Sequence, residues 1–286
     1  MKMMIISDVR SSSESIIPYG FNLAKNMQWE VDIIHTIDPK VHQGVYSSYS
    51  DSQTISPGSK LSHKDIIGRE KRETEQILDK ILSKEASRLN YPLKINTAVA
   101  IKSMDALMKE KMHSDAVSLL VVSSEADNHI FHSLHEILTM VKNSRVLSLL
   151  VPSGYSFSGI NTVMIPVDFS SDNYQRFEKG NKLLEFFHPE INAVSVVKKR
   201  DFIGSKLKSK TWITNARDYF SASNMDGNVL AGSNYSEILS AYIQRTKPDL
   251  VLLSLIRNNL FRSFFGKGID EILIGKIRTP VLILNQ

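Results

Sequence analysis

Residues 162–171 read TVMIPVDFSS: a short apolar run ends in Asp168, and a Ser/Asp cluster follows. The apolar run predicts a buried strand. Ser170, Ser171 or Asp172 offers a side-chain oxygen that can accept the free N–H groups of a first helical turn. The same grammar opens the chain, where MKMMIISDVRSSSES sets Asp8 in the place of Asp168, 160 residues earlier in a chain of 286. Two copies of one strand–Asp–helix opening predict a tandem duplication, in which each half must be asked separately whether it carries a working site.

Working outward from these two openings, apolar periodicity predicts the same order of elements twice. In the first half, strands are expected over 3–7, 31–37, 93–100, 118–123 and 146–151, and helices over 14–27, 64–89, 104–112 and 130–141. In the second half, strands are expected over 162–167, 191–197, 228–231, 249–254 and 280–284. Helices are expected there over 173–187, 207–220, 235–245 and 269–277. Strands that alternate with helices imply parallel sheets covered on both faces. The predicted fold class is therefore α/β, with two tandem five-stranded parallel-sheet domains, 1–152 and 161–286, joined by the Gly/Ser-rich linker Pro152–Asn161. The serine-rich stretch Lys40–His63 is too long for an ordinary connection and reads as a lid or a flexible loop.

Composition narrows the function classes. With 42% apolar and 23% charged residues, the chain is that of a globular protein, and no apolar run reaches the ~18 residues of a membrane span. The short stretch before Asp8, one Lys among apolar residues, is too short for a signal peptide, so a cytoplasmic location is expected. The absence of cysteine excludes disulfides, thiolate nucleophiles and thiolate metal sites. A net charge of +5 is mild for this length and nominates no nucleic-acid partner. The basic run Lys198–Lys210, KKRDFIGSKLKSK, reads as a solvated loop and helix face.

Four features resemble the universal stress protein family in its tandem two-domain form. They are IPVDFS at 165–170, KPDLVLL at 247–253, the closing TPVLIL at 279–284, and the paired segments VAIKSMDALM and VLAGSNYSEIL before the penultimate strand of each half. The resemblance implies an adenine nucleotide alpha hydrolase-like fold, pairing into dimers and a stress-response role without covalent chemistry. In the ATP-binding branch of that family a glycine motif follows the fourth strand. Glycines there let backbone N–H groups approach the phosphates, and a helix N-terminus faces the charge.

Alignment on Asp249 and Pro280 puts Ser254, Arg257, Lys267 and Gly268 at the motif positions, with Gly266 displaced by one residue. The corresponding first-half segment, SSEADNHIFHSLHEIL at 123–138, has no glycine and brings Glu125 and Asp127, which would repel a triphosphate. The first half is expected to have lost ATP binding and the second to be degenerate. The candidate binding set is Asp168, Ser254, Arg257, Lys267 and Gly268. Arg257, Arg262 and Lys267 offer charge there, but charge alone lacks the geometry of a phosphate cradle. Phe261, Phe264 and Phe265 in the same segment read as packing. Asp8 and Asp168 match the family's opening Asp near adenine and ribose, and each equally fits a helix-capping role.

His129, His132 and His135 form a comb at i, i+3 and i+6 that could in principle face a metal; the preferred reading is a solvated face. No motif of a nucleophile with its base occurs. The leading expectation is a non-enzymatic stress protein that acts by binding, with no cofactor and no metal. Its partner is a second copy, or its own other half in an intramolecular pseudo-dimer, or another protein. The competing expectations are ATP or another adenine nucleotide in the second half, and a nucleotide hydrolase of the same fold.

Overall fold

The computed structural model describes residues 1–9, 13–40, 63–112, 117–125, 130–171, 174–220, 222–255 and 269–285. The first five strands are β1 (Lys2–Ile6), β2 (Glu30–Ile37), β3 (Ile95–Ile101), β4 (Leu119–Ser123) and β5 (Leu147–Val151). They are followed by β6 (Thr162–Pro166), β7 (Glu190–Val197), β8 (Asn224–Ala231), β9 (Leu250–Leu255) and β10 (Val281–Asn285). The described helices are α1 (Ser13–Met27), α2 (His63–Ala86), α3 (Met104–Met112), α4 (Leu134–Ser144), α5 (Glu178–Leu184), α6 (Phe202–Ala216), α7 (Tyr235–Thr246) and α8 (Ile269–Lys276).

The strands form one ten-stranded sheet in the order β3-β2-β1-β4-β5-β10-β9-β6-β7-β8. Every pair within either half is parallel, and the order of the first five strands recurs in the last five. Where the sequence suggested two sheets, there is one, because the closing strands join. β5 and β10 pair antiparallel, with Val281 opposite Leu150, Leu282 opposite Leu149 and Ile283 opposite Ser148. Both strands are buried along their whole length, and leaving either as an edge would expose a row of unpaired backbone groups beside apolar side chains. Asn285 fastens the end of β10 to the first half by donating to the carbonyls of Val141 (2.7 Å) and Val146 (2.9 Å).

Alternation along the strands splits the core into two layers. Met3, Ile5, Val31, Ile33, Val163, Ile165, Leu252 and Leu282 point to the face covered by α1, α2, α5 and α6. Met4, Ile6, Ile34, Met164, Val194, Val251 and Val281 point to the face covered by α3, α4, α7 and α8. Two glycines mark where helices lie closest to the sheet. A Cβ on Gly20 would sit 2.4 Å from Ile5 Cδ1, and one on Gly180 would sit 2.9 Å from Leu252 Cδ1. Each lies twelve residues beyond the opening Asp of its half.

Element boundaries depart most from the periodicity in four places. α4 starts at Leu134 rather than at 130, because Ser133 is its N-cap and its Oγ accepts the Glu136 N–H at 3.2 Å. The helix expected over 173–187 is a 3-10 turn, Tyr174–Phe177, followed by α5. His188, at φ 46°, then ends it by donating its N–H to the Leu184 carbonyl. α6 begins five residues before the expected Leu207. β8 runs for eight residues rather than 228–231. It pairs with β7 along its full length while its outward polar residues, Asp226 and Asn228 among them, tolerate an edge position.

Candidate functional site

In parallel α/β sheets, ligands settle beyond the carboxyl ends of the strands where the strand order reverses direction. Each half has one such point: between β1 and β4 in the first half, and between β6 and β9 in the second. The two are built alike. Ser7 donates its N–H to Ile34 O at 3.1 Å, and Val167, in the equivalent place, donates to Val194 O at 2.9 Å.

In the second half, β6 delivers Asp168 two residues past its last residue, Pro166, and β9 carries Ser254 to the same end of the sheet. Asp168 is half-buried, and its Oδ1 accepts the Ser170 N–H at 2.9 Å and the Ser170 hydroxyl at 2.6 Å. The Ser171 N–H donates to the Asp168 carbonyl at 3.1 Å and closes the turn. The Ser171 carbonyl in turn accepts the Trp212 indole N–H at 3.0 Å. Rings pack around this turn: Phe169 lies 5.6 Å and Tyr174 5.0 Å from Trp212, and Tyr219 stacks on Tyr174 at 5.3 Å. Phe169, Tyr174 and Trp212 are buried. Apolar spacing alone did not reveal this ring cluster, since its four members come from four separate segments. The Ser254 hydroxyl oxygen is buried with no hydrogen-bond partner among the described residues. Arg257, Lys267 and Gly268, with Arg262, Gly266 and the three phenylalanines, lie outside the described residues. Of the candidate set the structure therefore describes Asp168 and Ser254.

In the first half, Asp8 is buried two residues past β1. The buried His35 ring contacts the Ser7 carbonyl through Nδ1 at 3.1 Å, and the Ser7 hydroxyl oxygen is buried without a partner among the described residues. The segment after β4 is held by the Ser123 hydroxyl, which accepts the Glu125 N–H at 3.1 Å. The Glu125 carboxylate is engaged by Arg278 of the second half at 2.8 Å, an exposed pair of small energetic weight that nonetheless fixes an anion beyond the end of β4. Asp127 lies outside the described residues.

The histidine comb does not share one helical face. His129 lies outside the described residues, His132 precedes α4, and its N–H donates to Glu136 Oε2 at 2.8 Å. His135 Nδ1 lies 3.3 Å from Glu271 on α8 and is largely exposed. Among the described residues, no three His, Asp or Glu side chains converge as metal ligands would. The basic run 198–210 is an exposed 3-10 turn and helix face, as its composition suggested. No described helix is long and apolar enough to cross a membrane.

Comparison with solved structures identifies the fold as that of the universal stress proteins. A universal stress protein from Archaeoglobus fulgidus DSM 4304 superposes over 100% of this chain and 96% of its own, with a TM-score of 0.63 at 13% identity. A Pseudomonas aeruginosa UCBPP-PA14 protein, provisionally titled a universal stress protein, covers 99% of this chain and 92% of its own, with a TM-score of 0.61 at 12% identity. A Pseudomonas aeruginosa PAO1 protein of unknown function gives 0.58 over the same shares, again at 12% identity. No family model and no curated relative matches the sequence.

Proposed function

We propose that this chain is a non-enzymatic, duplicated protein of the universal stress protein type that acts by binding, with the nucleotide site lost in the first half and degenerate in the second. The observation that carries the reading is the state of Asp168. Its Oδ1 already accepts two hydrogen bonds from Ser170, and the turn it closes is packed by Phe169, Tyr174 and Trp212. A carboxylate satisfied within its own turn fits the capping role, which needs no ligand. In the first half, the segment after β4 has no glycine and sets Glu125 beyond the strand's end, where its charge would repel a phosphate. The stress-response role rests on the fold likeness. The antiparallel β5–β10 pairing makes the chain its own pseudo-dimer, with a further protein partner as the remaining route to function.

The test is acid extraction of the purified protein, with mass detection of released nucleotide, followed by calorimetric titration of the stripped protein with ATP. No released nucleotide and no binding heat are expected. Binding that disappears in the Asp168→Ala/Lys267→Ala double variant would replace this reading with an adenine-nucleotide site in the second half.

A further inference from the structure

Far from both strand-order reversals of the proposal above, a cavity of about 540 Å³ opens between α5 and the N-terminal ends of β1 and β5. That volume suits a small organic ligand. Its apolar lining includes Trp29, Leu147 and Phe186, and the Trp29 and Phe186 rings meet edge to face at 6.0 Å across the two halves. Its charged lining includes Arg145, Lys179 and Lys182. Lys182 shares an exposed ion pair with Glu178 at 3.4 Å, while Arg145 and Lys179 have no ion pair among the described residues. One lining carboxylate, Glu185, opposes this excess of positive charge.

The internal repeat supplies a control. The backbone bond from Glu30 N to Met1 O has its counterpart in that from Glu190 N to Asn161 O, so the start of β6 and the flank of α1 form an equivalent groove. That groove is filled by the chain itself. The linker inserts Tyr155 and Phe157 against Tyr19, at 6.1 and 5.2 Å. The filled one shows that the shape accepts aromatic rings.

The sequence differences between the two grooves indicate the charge of the missing occupant. Tyr19 in the filled groove corresponds to Lys179 in the open one, in step with the Gly20 and Gly180 contacts. Ladder register likewise sets Leu119 against Met3 and Leu250 against Val163, so Asp249 of the filled groove corresponds to Ser118 of the open one. At the same offset Asn22 corresponds to Lys182 and Lys25 to Glu185, so across these four positions the open groove is more positive by one charge. Positive charge over an apolar, ring-lined floor recognises an aromatic acid, whose ring displaces water while its anionic group meets Arg and Lys.

We propose that this groove is a binding site for a small aromatic acid, with the ring seated at Trp29, Leu147 and Phe186 and the acid group on Arg145, Lys179 and Lys182. The probe is 2-naphthoate, titrated into the Trp212→Phe variant so that Trp29 is the sole tryptophan reporter. Saturable, one-to-one perturbation of Trp29 emission is expected. Uncharged 2-naphthalenemethanol should bind about tenfold more weakly, as should naphthoate to the Arg145→Gln/Lys179→Gln/Lys182→Gln variant, whose changes are all at exposed positions. The comparison of acid with alcohol needs no charge variant and stands whether or not that variant folds. No saturable response up to about 5 mM, or equal affinity for acid and alcohol, would overturn the proposal. Because the ATP titration addresses the opposite ends of the strands, failure of one experiment leaves the other interpretable.

Discussion

Leu282 sits at the join between the two halves, and truncating it tests whether the ten strands behave as one cooperative unit. Its side chain is fully buried, and its strand neighbours are Leu149 from β5 and Leu252 from β9. Leu282→Ala removes a buried isobutyl group from a position walled by paired strands on both sides, where little collapse can refill the space. A cost of about 3–5 kcal/mol follows from measured buried leucine truncations. For a chain of this length, with a urea dependence of about 3 kcal/mol per molar, the midpoint should fall by about 1–1.7 M. The molecule carries its own two reporters: Trp29 in the first half and Trp212 in the second, both buried in the same core layer. In the Trp212→Phe and Trp29→Phe backgrounds, fluorescence reports one half at a time. If the join is integral to the core, Leu282→Ala lowers both transitions together. A lowered Trp212 transition with an unmoved Trp29 transition would show that the halves unfold independently, and would refute the reasoning.

Two smaller perturbations probe the sites directly. Ser254→Ala removes a buried hydroxyl that has no partner among the described residues, so it should leave stability unchanged or raise it by up to about 1 kcal/mol; a loss of that size in urea unfolding would mean the hydroxyl is bonded. Burial first, then Tyr155 and Asp249, push the Tyr19 hydroxyl well above its ordinary value of 10.0, so the folded state keeps a proton that the unfolded chain gives up as pH rises past about 10. That contribution to stability is complete below pH 10 and is lost above it; Tyr19→Phe should flatten the alkaline decline, and identical pH profiles for the two proteins would count against this burial.

Local chemistry was enough to announce the fold. The apolar runs ending at Asp8 and Asp168 declared strands because burial on both faces demands continuous apolar side chains. Their recurrence declared the repeated order. Signals at hand could have sharpened it further. Ser133 with Glu136 marks the start of α4, and Gly20 and Gly180 stand at equal offsets where helices touch the sheet. β8 was foreshortened because an edge strand carries polar residues that periodicity reads as loop. The Asp168 turn was legible as either a cap or a ligand contact, since an Asp before a Ser cluster suits both; the bonds to Ser170, invisible in the sequence, support the cap proposed above.

The sequence by itself thus determined the α/β class, the doubled strand order and the weakness of the glycine motif, because each is written in neighbouring residues. Tertiary structure decided that β5 and β10 fuse the halves into one sheet, that rings from separate elements pack the Asp168 turn, and that the linker fills one groove while its counterpart stays open between Trp29 and Phe186. These features depend on contacts between residues from about 40 to more than a hundred positions apart or on the choice between two equivalent surfaces. No local pattern encodes such a choice; it is settled by which arrangement buries the apolar edges and rings together.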